Sequence, residues 1–229
     1  MRTPTLALAA LLLLVVPALA ADPPPPPPAA KGVRTVYLIR HGLYDRDEKV
    51  DDRVGNGINE VGREQATLIG RYLAALPVKI TSLTSSTLTR ARETADLMGA
   101  SLRMTSLRDS LISECSPISE RADWLKGEDP AEVAACELNL IAAWDKYVRP
   151  SPEADTHDVL VAHGNVIRWF VAKAIAGDTR VWSRLEVGHA SITALTVSPE
   201  GRVRVVKVSD ATFMPPSKQT YGSRGPGWK

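Results

Sequence analysis

Two stretches of this chain repeat one pattern: VYLIRHG at residues 36–42 and VLVAHGN at 159–165. In each, an apolar run of strand length ends abruptly in His-Gly. A strand that is apolar on both faces needs cover on both faces, which a parallel sheet between two layers of helices supplies. Ligands of such sheets gather beyond the carboxyl ends of the strands. The repeated pattern therefore restricts the fold to an α/β class and places His41-Gly42 and His163-Gly164 where ligand chemistry is expected.

The intervening sequence agrees with that class. Strands are expected at 33–39, 79–84, 158–162, 192–197 and 202–208, the last two flanking a Pro199-Glu200-Gly201 turn. Asn59 can cap a helix running to about Ala75, with Ile58, Val61, Ala66, Ile69 and Leu73 near one face. Ser86 or Thr87 can cap a second helix, which Gly99 would end. Asp129-Pro130-Ala131-Glu132 combines an N-cap, a proline at the first helical position and an acid at the third, and that helix is expected to reach Tyr147 or Val148. A fourth follows His163-Gly164 to about Ala176. Strands alternating with helices read as a three-layer sandwich around a mostly parallel central sheet.

The ends of the chain have a different character. Arg2, an apolar run at 6–16 and Ala18-Leu19-Ala20 fit a secretory signal peptide at 1–20, cut after Ala20. That implies a secreted or periplasmic protein with no stable membrane insertion once cut; the alternative is an uncleaved N-terminal anchor. Residues 21–32, with Pro23 to Pro28 unbroken, read as a stiff linker. Residues 33–217 form the expected domain, and 218–229 a flexible tail. Of 229 residues, 44% are hydrophobic, enough for one domain with a core, and a net charge of +2 gives no basic footprint for nucleic acid. Cys115 and Cys136 could pair in an oxidising compartment, but their spacing does not decide it. No metal-ligand spacing is present. Nothing speaks to oligomeric state.

A third strand end leads into TSLTSSTLTRARET at 81–94, whose helix carries Arg90 and Arg92 on different faces. Arg90 can point back to the edge that holds Arg40, His41 and His163. Guanidinium groups present planar forks that match phosphate oxygens, and imidazole can be a neutral nucleophile near neutral pH. Two arginines and two histidines at one sheet edge suit phosphoryl transfer, where positioning and charge stabilisation supply most of the catalysis.

These residues resemble the signatures of the histidine phosphatase superfamily, with its phosphoglycerate mutase-like fold. Leu38-Ile39-Arg40-His41-Gly42 is similar to its R-H-G motif. Gly62-Arg63-Glu64-Gln65-Ala66, Ser85-Ser86 with Arg90-Ala91 and Glu93-Thr94, and Ala162-His163-Gly164 follow in the family's order. His163 to Arg168, Ser191-Ile192-Thr193 and Phe213-Met214-Pro215-Pro216 resemble the mitochondrial serine/threonine protein phosphatases of that superfamily. The resemblance implies a phosphatase with a phosphorylated substrate, small molecule or phosphoprotein, and no metal or other cofactor. His41 would be the nucleophile and pass through a phosphohistidine. Arg40, Arg90 and His163 would hold the phosphoryl oxygens, with a backbone N–H near Gly164 helping. Glu114 would be the general acid for the leaving oxygen. Mutase activity is not expected, for lack of substrate-enclosing insertions, nor is the phytase-type branch, since Tyr44-Asp45 and Gly164 depart from its motifs. A non-catalytic phosphate-binding or scaffolding module on the same fold is the alternative.

Overall fold

The computed structural model of the chain describes residues 31–222. The segment read as a signal peptide, nearly all of the linker and the end of the tail lie outside those residues. Within them, one six-stranded sheet is built from β1 (Arg34–Arg40), β2 (Ser82–Ser85), β3 (Leu107–Arg108), β4 (Thr156–Ala162), β5 (Ile192–Val197) and β6 (Val203–Asp210), in the order β3-β2-β4-β1-β5-β6. The pairs β1–β4, β2–β4 and β2–β3 are parallel, whereas β5 runs antiparallel to both β1 and β6. The helices are α1 (Glu60–Ala74), α2 (Thr89–Leu102), α3 (Pro130–Tyr147) and α4 (Gly164–Ala176).

Side chains of a strand alternate between faces, and this sheet buries both. Val36 and Leu38 of β1, with Leu160 and Ala162 of β4, pack on Leu140 of α3 and on Ile167 and Phe170 of α4. Ile39 of β1, with Val159 and Val161 of β4, packs on Ile69 and Leu73 of α1 and on Ala91, Ala95 and Met98 of α2. Nearly all of these are fully buried, and a Leu or Ile so placed stabilises the fold by about 1.5–3 kcal/mol. This is the three-layer sandwich that the apolar strands require.

Helix starts follow local chemistry. Asn59 accepts the Gly62 N–H at 3.0 Å and Asp129 accepts the Ala131 N–H at 2.8 Å, with Pro130 opening α3. α2 differs from expectation at both ends. Its N-cap is Leu88, which gives no side-chain capping bond, and it runs past Gly99 to Leu102, where Arg103 takes the left-handed conformation at φ 55°. Gly99 serves close approach instead: a Cβ there would lie 2.4 Å from Met104 O.

The parallel register sets the level of the strand ends. Arg40 pairs with Ala162 and Ser85 with Val161; the next residues continue the ladder, His41 N–H to Ala162 O at 3.0 Å and Ser86 N–H to Val161 O at 2.9 Å. His41, Ser86 and His163 thus leave the sheet together. At the same edge Gly42 meets Gly62 of α1: a Cβ on Gly42 would lie 2.6 Å from Gly62 O, and one on Gly62 would lie 2.1 Å from Leu43 O.

The ordered fold also takes in residues either side of the expected 33–217 span. Lys31 and Gly32 donate backbone bonds to Pro152 O and Ser151 O. Residues 218–222, read as flexible tail, lie against the sheet edge: Lys218 O and Thr220 Oγ1 accept from Gln65 Nε2, and Gly222 O accepts from Arg40.

Candidate active site

Arg40, His41, Arg90, His163, Glu114 and Gly164 converge at the carboxyl edge of β1, β2 and β4. His41 is 1% exposed and its ring centroid lies 5.1 Å from that of His163, which is fully buried. Their bonding partners assign the ring protons. His41 Nδ1 faces Gly42 O at 2.8 Å; a carbonyl only accepts, so Nδ1 carries the proton. His41 Nε2 is left with its lone pair, and Arg90 Nε–H donates to it at 3.2 Å. Ser86 is fully buried; its Oγ accepts the Leu88 N–H at 3.1 Å and lies 2.6 Å from His163 Nε2, the acceptor left for its own proton. His163 then carries its proton on Nδ1, which is buried with no partner.

The arginines differ in their surroundings. Arg40 Nη1 donates to Val187 O at 2.6 Å and Nη2 to Gly222 O at 3.2 Å, while its Nε is buried without a partner. Gly164 opens α4 beside that nitrogen; a Cβ on it would lie 3.6 Å from Arg40 Nε, ordinary contact. Arg90 is the second residue of α2, and Tyr44 lies under its guanidinium, 5.0 Å from the ring centroid. Thr94, one turn on, donates to Arg90 O and accepts the Gly42 N–H at 3.0 Å, while Glu93 accepts the Ile58 N–H at 2.8 Å. The 81–94 motif therefore both supplies Arg90 and fixes the loop that follows His41.

Burial governs the charge states. It depresses the pKa of His41 well below the usual imidazole value, reinforced by His163, Arg40, Arg90 and His189. His163 is depressed well below that value too, by burial and then by Arg90 and Arg40. Arg40 falls to about 10, mainly from burial, and stays cationic at neutral pH. Glu114 is raised: burial outweighs the opposing pull of Arg90, Arg40, Arg168 and the Asn165 N–H. Its Oε1 accepts that N–H, in the first turn of α4, at 3.3 Å. The result is two neutral imidazoles between guanidinium groups, with a carboxyl biased toward its protonated form at the rim.

A cavity of about 380 Å³ opens onto Arg40, His41, Tyr44, Glu114, Trp124 and Arg168. A second, of about 570 Å³, shares Tyr44 and Glu114 with it and reaches Arg90 and Cys115. Cys115 and Cys136 are joined in a disulfide, S–S 2.08 Å, which ties the residue after Glu114 to α3. Among the described residues no cluster of three or more His, Cys, Asp or Glu is arranged to hold a metal ion.

Sequence reasoning missed several residues at this edge. Ser86, a candidate helix cap, stands two residues before the N-cap, holds the Leu88 N–H and also orients His163. Arg168, one turn into α4, pairs with Glu186 at 3.0 Å and lines the smaller cavity; its position just past His163-Gly164 was the available signal. His189, just before β5, has no signal of spacing, yet its ring centroid lies 5.6 Å from that of His41.

Comparison with known proteins agrees with this geometry. The model of the histidine phosphatase superfamily (branch 1) matches residues 36–117 and 116–211. The mitochondrial serine/threonine-protein phosphatase PGAM5 of Xenopus tropicalis is 34% identical over 197 residues, covering 82% of this chain and 68% of the relative. Its Caenorhabditis briggsae counterpart is 35% identical over 204 residues, covering 84% and 68%. A phosphoglycerate mutase from Bacillus anthracis shares the fold at TM-score 0.59 and 19% identity, over 81% of this chain and 96% of that one. The relatives correct one expectation. They are mitochondrial by name, which overturns the secreted or periplasmic destination read from residues 1–20. A short apolar run behind a basic residue addresses a membrane system without specifying which one.

Proposed function

Because the chain belongs to branch 1 of the histidine phosphatase superfamily, we propose that it hydrolyses phosphomonoesters by way of a phosphohistidine at His41. The observation that carries this reading is the state of the His41 ring. It is neutral, its proton is held on Nδ1 by Gly42 O, and its Nε2 lone pair is aligned by Arg90. An imidazole so arranged is a nucleophile needing no base to activate it.

In the first half-reaction Nε2 attacks phosphorus and the bond from phosphorus to the ester oxygen breaks. Arg40, Arg90 and His163 hold the three non-bridging oxygens, where their charge and donors act as negative charge spreads in the transition state. Glu114 gives its proton to the departing oxygen, so an alcohol leaves rather than an alkoxide. In the second half the Glu114 carboxylate takes a proton from water. The water oxygen bonds to phosphorus, the N–P bond breaks, and inorganic phosphate departs with His41 restored. Buried donors without partners, Arg40 Nε and His163 Nδ1, support an anion site: each is costly to leave unpaired and suited to a phosphoryl oxygen. The named relatives are serine/threonine-protein phosphatases, so phosphoserine and phosphothreonine side chains join small phosphomonoesters as candidate substrates.

Turnover of p-nitrophenyl phosphate, with acid-labile phosphate trapped on the wild-type protein and both lost in His41→Ala, is the expected result. Phosphate binding without turnover in the wild type would leave a binding module on the same fold.

A further inference from the structure

The two cavities of the site divide the work of holding an ester. The smaller contains the nucleophile and Arg40 and so takes the phosphoryl group. The larger reaches neither residue and begins at Arg90 and Glu114. Glu114 lines both and gives its proton to the ester oxygen, so that oxygen lies at their junction. Whatever is attached to it extends into the larger cavity. Arg90 fits this junction: it is 9% exposed and its Nε is spent on His41, while no hydrogen bond engages Nη1 or Nη2 among the described residues. The larger cavity, of about 570 Å³, has the volume of an ordinary ligand pocket, roughly 300–1,000 Å³, and far exceeds a serine side chain. The neighbours of a phosphorylated residue have room there too.

The wall of this cavity is charged. Apart from Arg90 and Glu114, its ionisable side chains are Asp52, Glu128 and Glu132 against a single cation, Arg46. None of these four forms an ion pair among the described residues. Three carboxylates against one guanidinium leave the wall at −3 + 1 = −2. The carboxylates come from separate segments: Asp52 from the loop between β1 and α1, Glu128 from the turn before α3, and Glu132 from the first turn of α3. Glu132 stabilises the start of that helix whatever it faces, and Glu128 accepts the Ser116 hydroxyl at 3.2 Å. The Cys115–Cys136 bridge ties the loop of Glu114 to α3, the helix that carries Glu132. A phosphomonoester is itself an anion, so carboxylates beside its path weaken binding. Positive charge on the alcohol side turns the same carboxylates into an attraction.

We propose that the larger cavity selects a cationic leaving group: a phosphoserine or phosphothreonine with lysine or arginine beside it in the substrate chain. This deepens the phosphatase reading above and rests on it.

The test is a pair of phosphoserine peptides that differ only in their flanking residues, lysine in one and glutamate in the other. Exposed ion pairs are individually weak, so three carboxylates should favour the lysine peptide by about threefold to a hundredfold in kcat/KM. The ratio should shrink as ionic strength rises from about 0.01 to 1 M, which shortens the screening length from about 30 to 3 Å. Asp52→Asn combined with Glu128→Gln and Glu132→Gln should bring the ratio close to one, and Arg46→Gln should widen it. Because each ratio is taken within one protein, a general loss of activity cancels. Neutralising Asp145, Glu153 and Glu200, three exposed carboxylates outside the cavity, should leave the ratio as it is. A wild type that favours the glutamate peptide or treats the two alike overturns the proposal. So does a ratio that survives loss of the three wall carboxylates, or one that the outer variant lowers equally. If the triple variant misfolds by circular dichroism, the single substitutions and the wild-type salt dependence decide. Turnover of p-nitrophenyl phosphate without turnover of either peptide also overturns the proposal and spares the phosphatase reading; no turnover of p-nitrophenyl phosphate strikes that reading itself.

Discussion

Replacing Glu114 with glutamine keeps the size of the side chain and removes the proton it can give away. In the wild type, burial raises the Glu114 pKa against the pull of three arginines. A raised pKa holds more of the carboxyl protonated near neutral pH, the form a general acid requires. How much that proton matters depends on the departing oxygen. An alkyl phosphate releases a strongly basic oxygen, so its turnover should fall roughly 10²–10⁴-fold in Glu114→Gln, about 3–5 kcal/mol of transition-state stabilisation. p-Nitrophenolate leaves well without a proton, so the loss with its ester should be far smaller. The pH profile carries the same logic. Protonated Glu114 is the active form, so kcat/KM for an alkyl phosphate falls as pH rises through its pKa. Neutral His41 is the active nucleophile, so activity also falls as pH drops through its depressed pKa, on the acid side of the ordinary imidazole range. Glu114→Gln should erase the alkaline limb and leave the acid limb in place. The assay is kcat/KM for phosphoserine and p-nitrophenyl phosphate across pH, on protein whose fold is verified by circular dichroism. Equal losses for the two esters, or an alkaline limb that survives the substitution, would refute the reasoning.

Two further outcomes follow from the same site. With arginine and histidine holding the phosphoryl oxygens, EDTA should leave turnover unchanged and vanadate should inhibit, as steady-state assays would report; a large EDTA loss restored by added metal would contradict this. The Cys115–Cys136 bridge closes a sequence separation of 21 residues, so replacing both cysteines with serine should lower unfolding stability by about 3 kcal/mol in denaturant titrations. Because Glu114 precedes Cys115, the same variant should slow alkyl phosphates more than p-nitrophenyl phosphate.

The parts of the fold visible in the sequence are those decided locally or by burial. The apolar runs ending at Arg40 and Ala162 announce strands because only a doubly covered sheet can hold them, and Asn59 and Asp129-Pro130 announce helix starts because capping is a contact of two or three residues. What escaped depends on distant partners. Ser86 has the composition of an N-cap, yet His163, 77 residues away, takes its hydroxyl. Gly99 looks like a helix terminator, but the returning loop at Met104 is what requires it. β3 is two residues long and too short for any periodicity. The antiparallel direction of β5 follows from a connection over 177–191 that carries no full helix, and the same connection brings in His189 unannounced. Arg40, His41, Arg90 and His163 were legible as a group because strand ends and one helix turn place them; the contribution of residues 218–222 was not, since a glycine-rich polar tail reads as solvent-exposed whatever it touches.

The meeting of Gly42 and Gly62 has a consequence for how this sequence can drift. Each glycine excludes a side chain on the other segment through backbone atoms, which cannot swing aside as a rotamer would. Neither position can therefore change first, and a compensating partner substitution cannot help, because any pair of larger residues is worse than one. Position 62 lies on α1 and supplies no reacting group, yet its freedom to vary is bound to that of the residue following the nucleophile. A comparison of sequences that equates invariance with chemistry would place Gly62 among the reacting residues, when what it preserves is a gap.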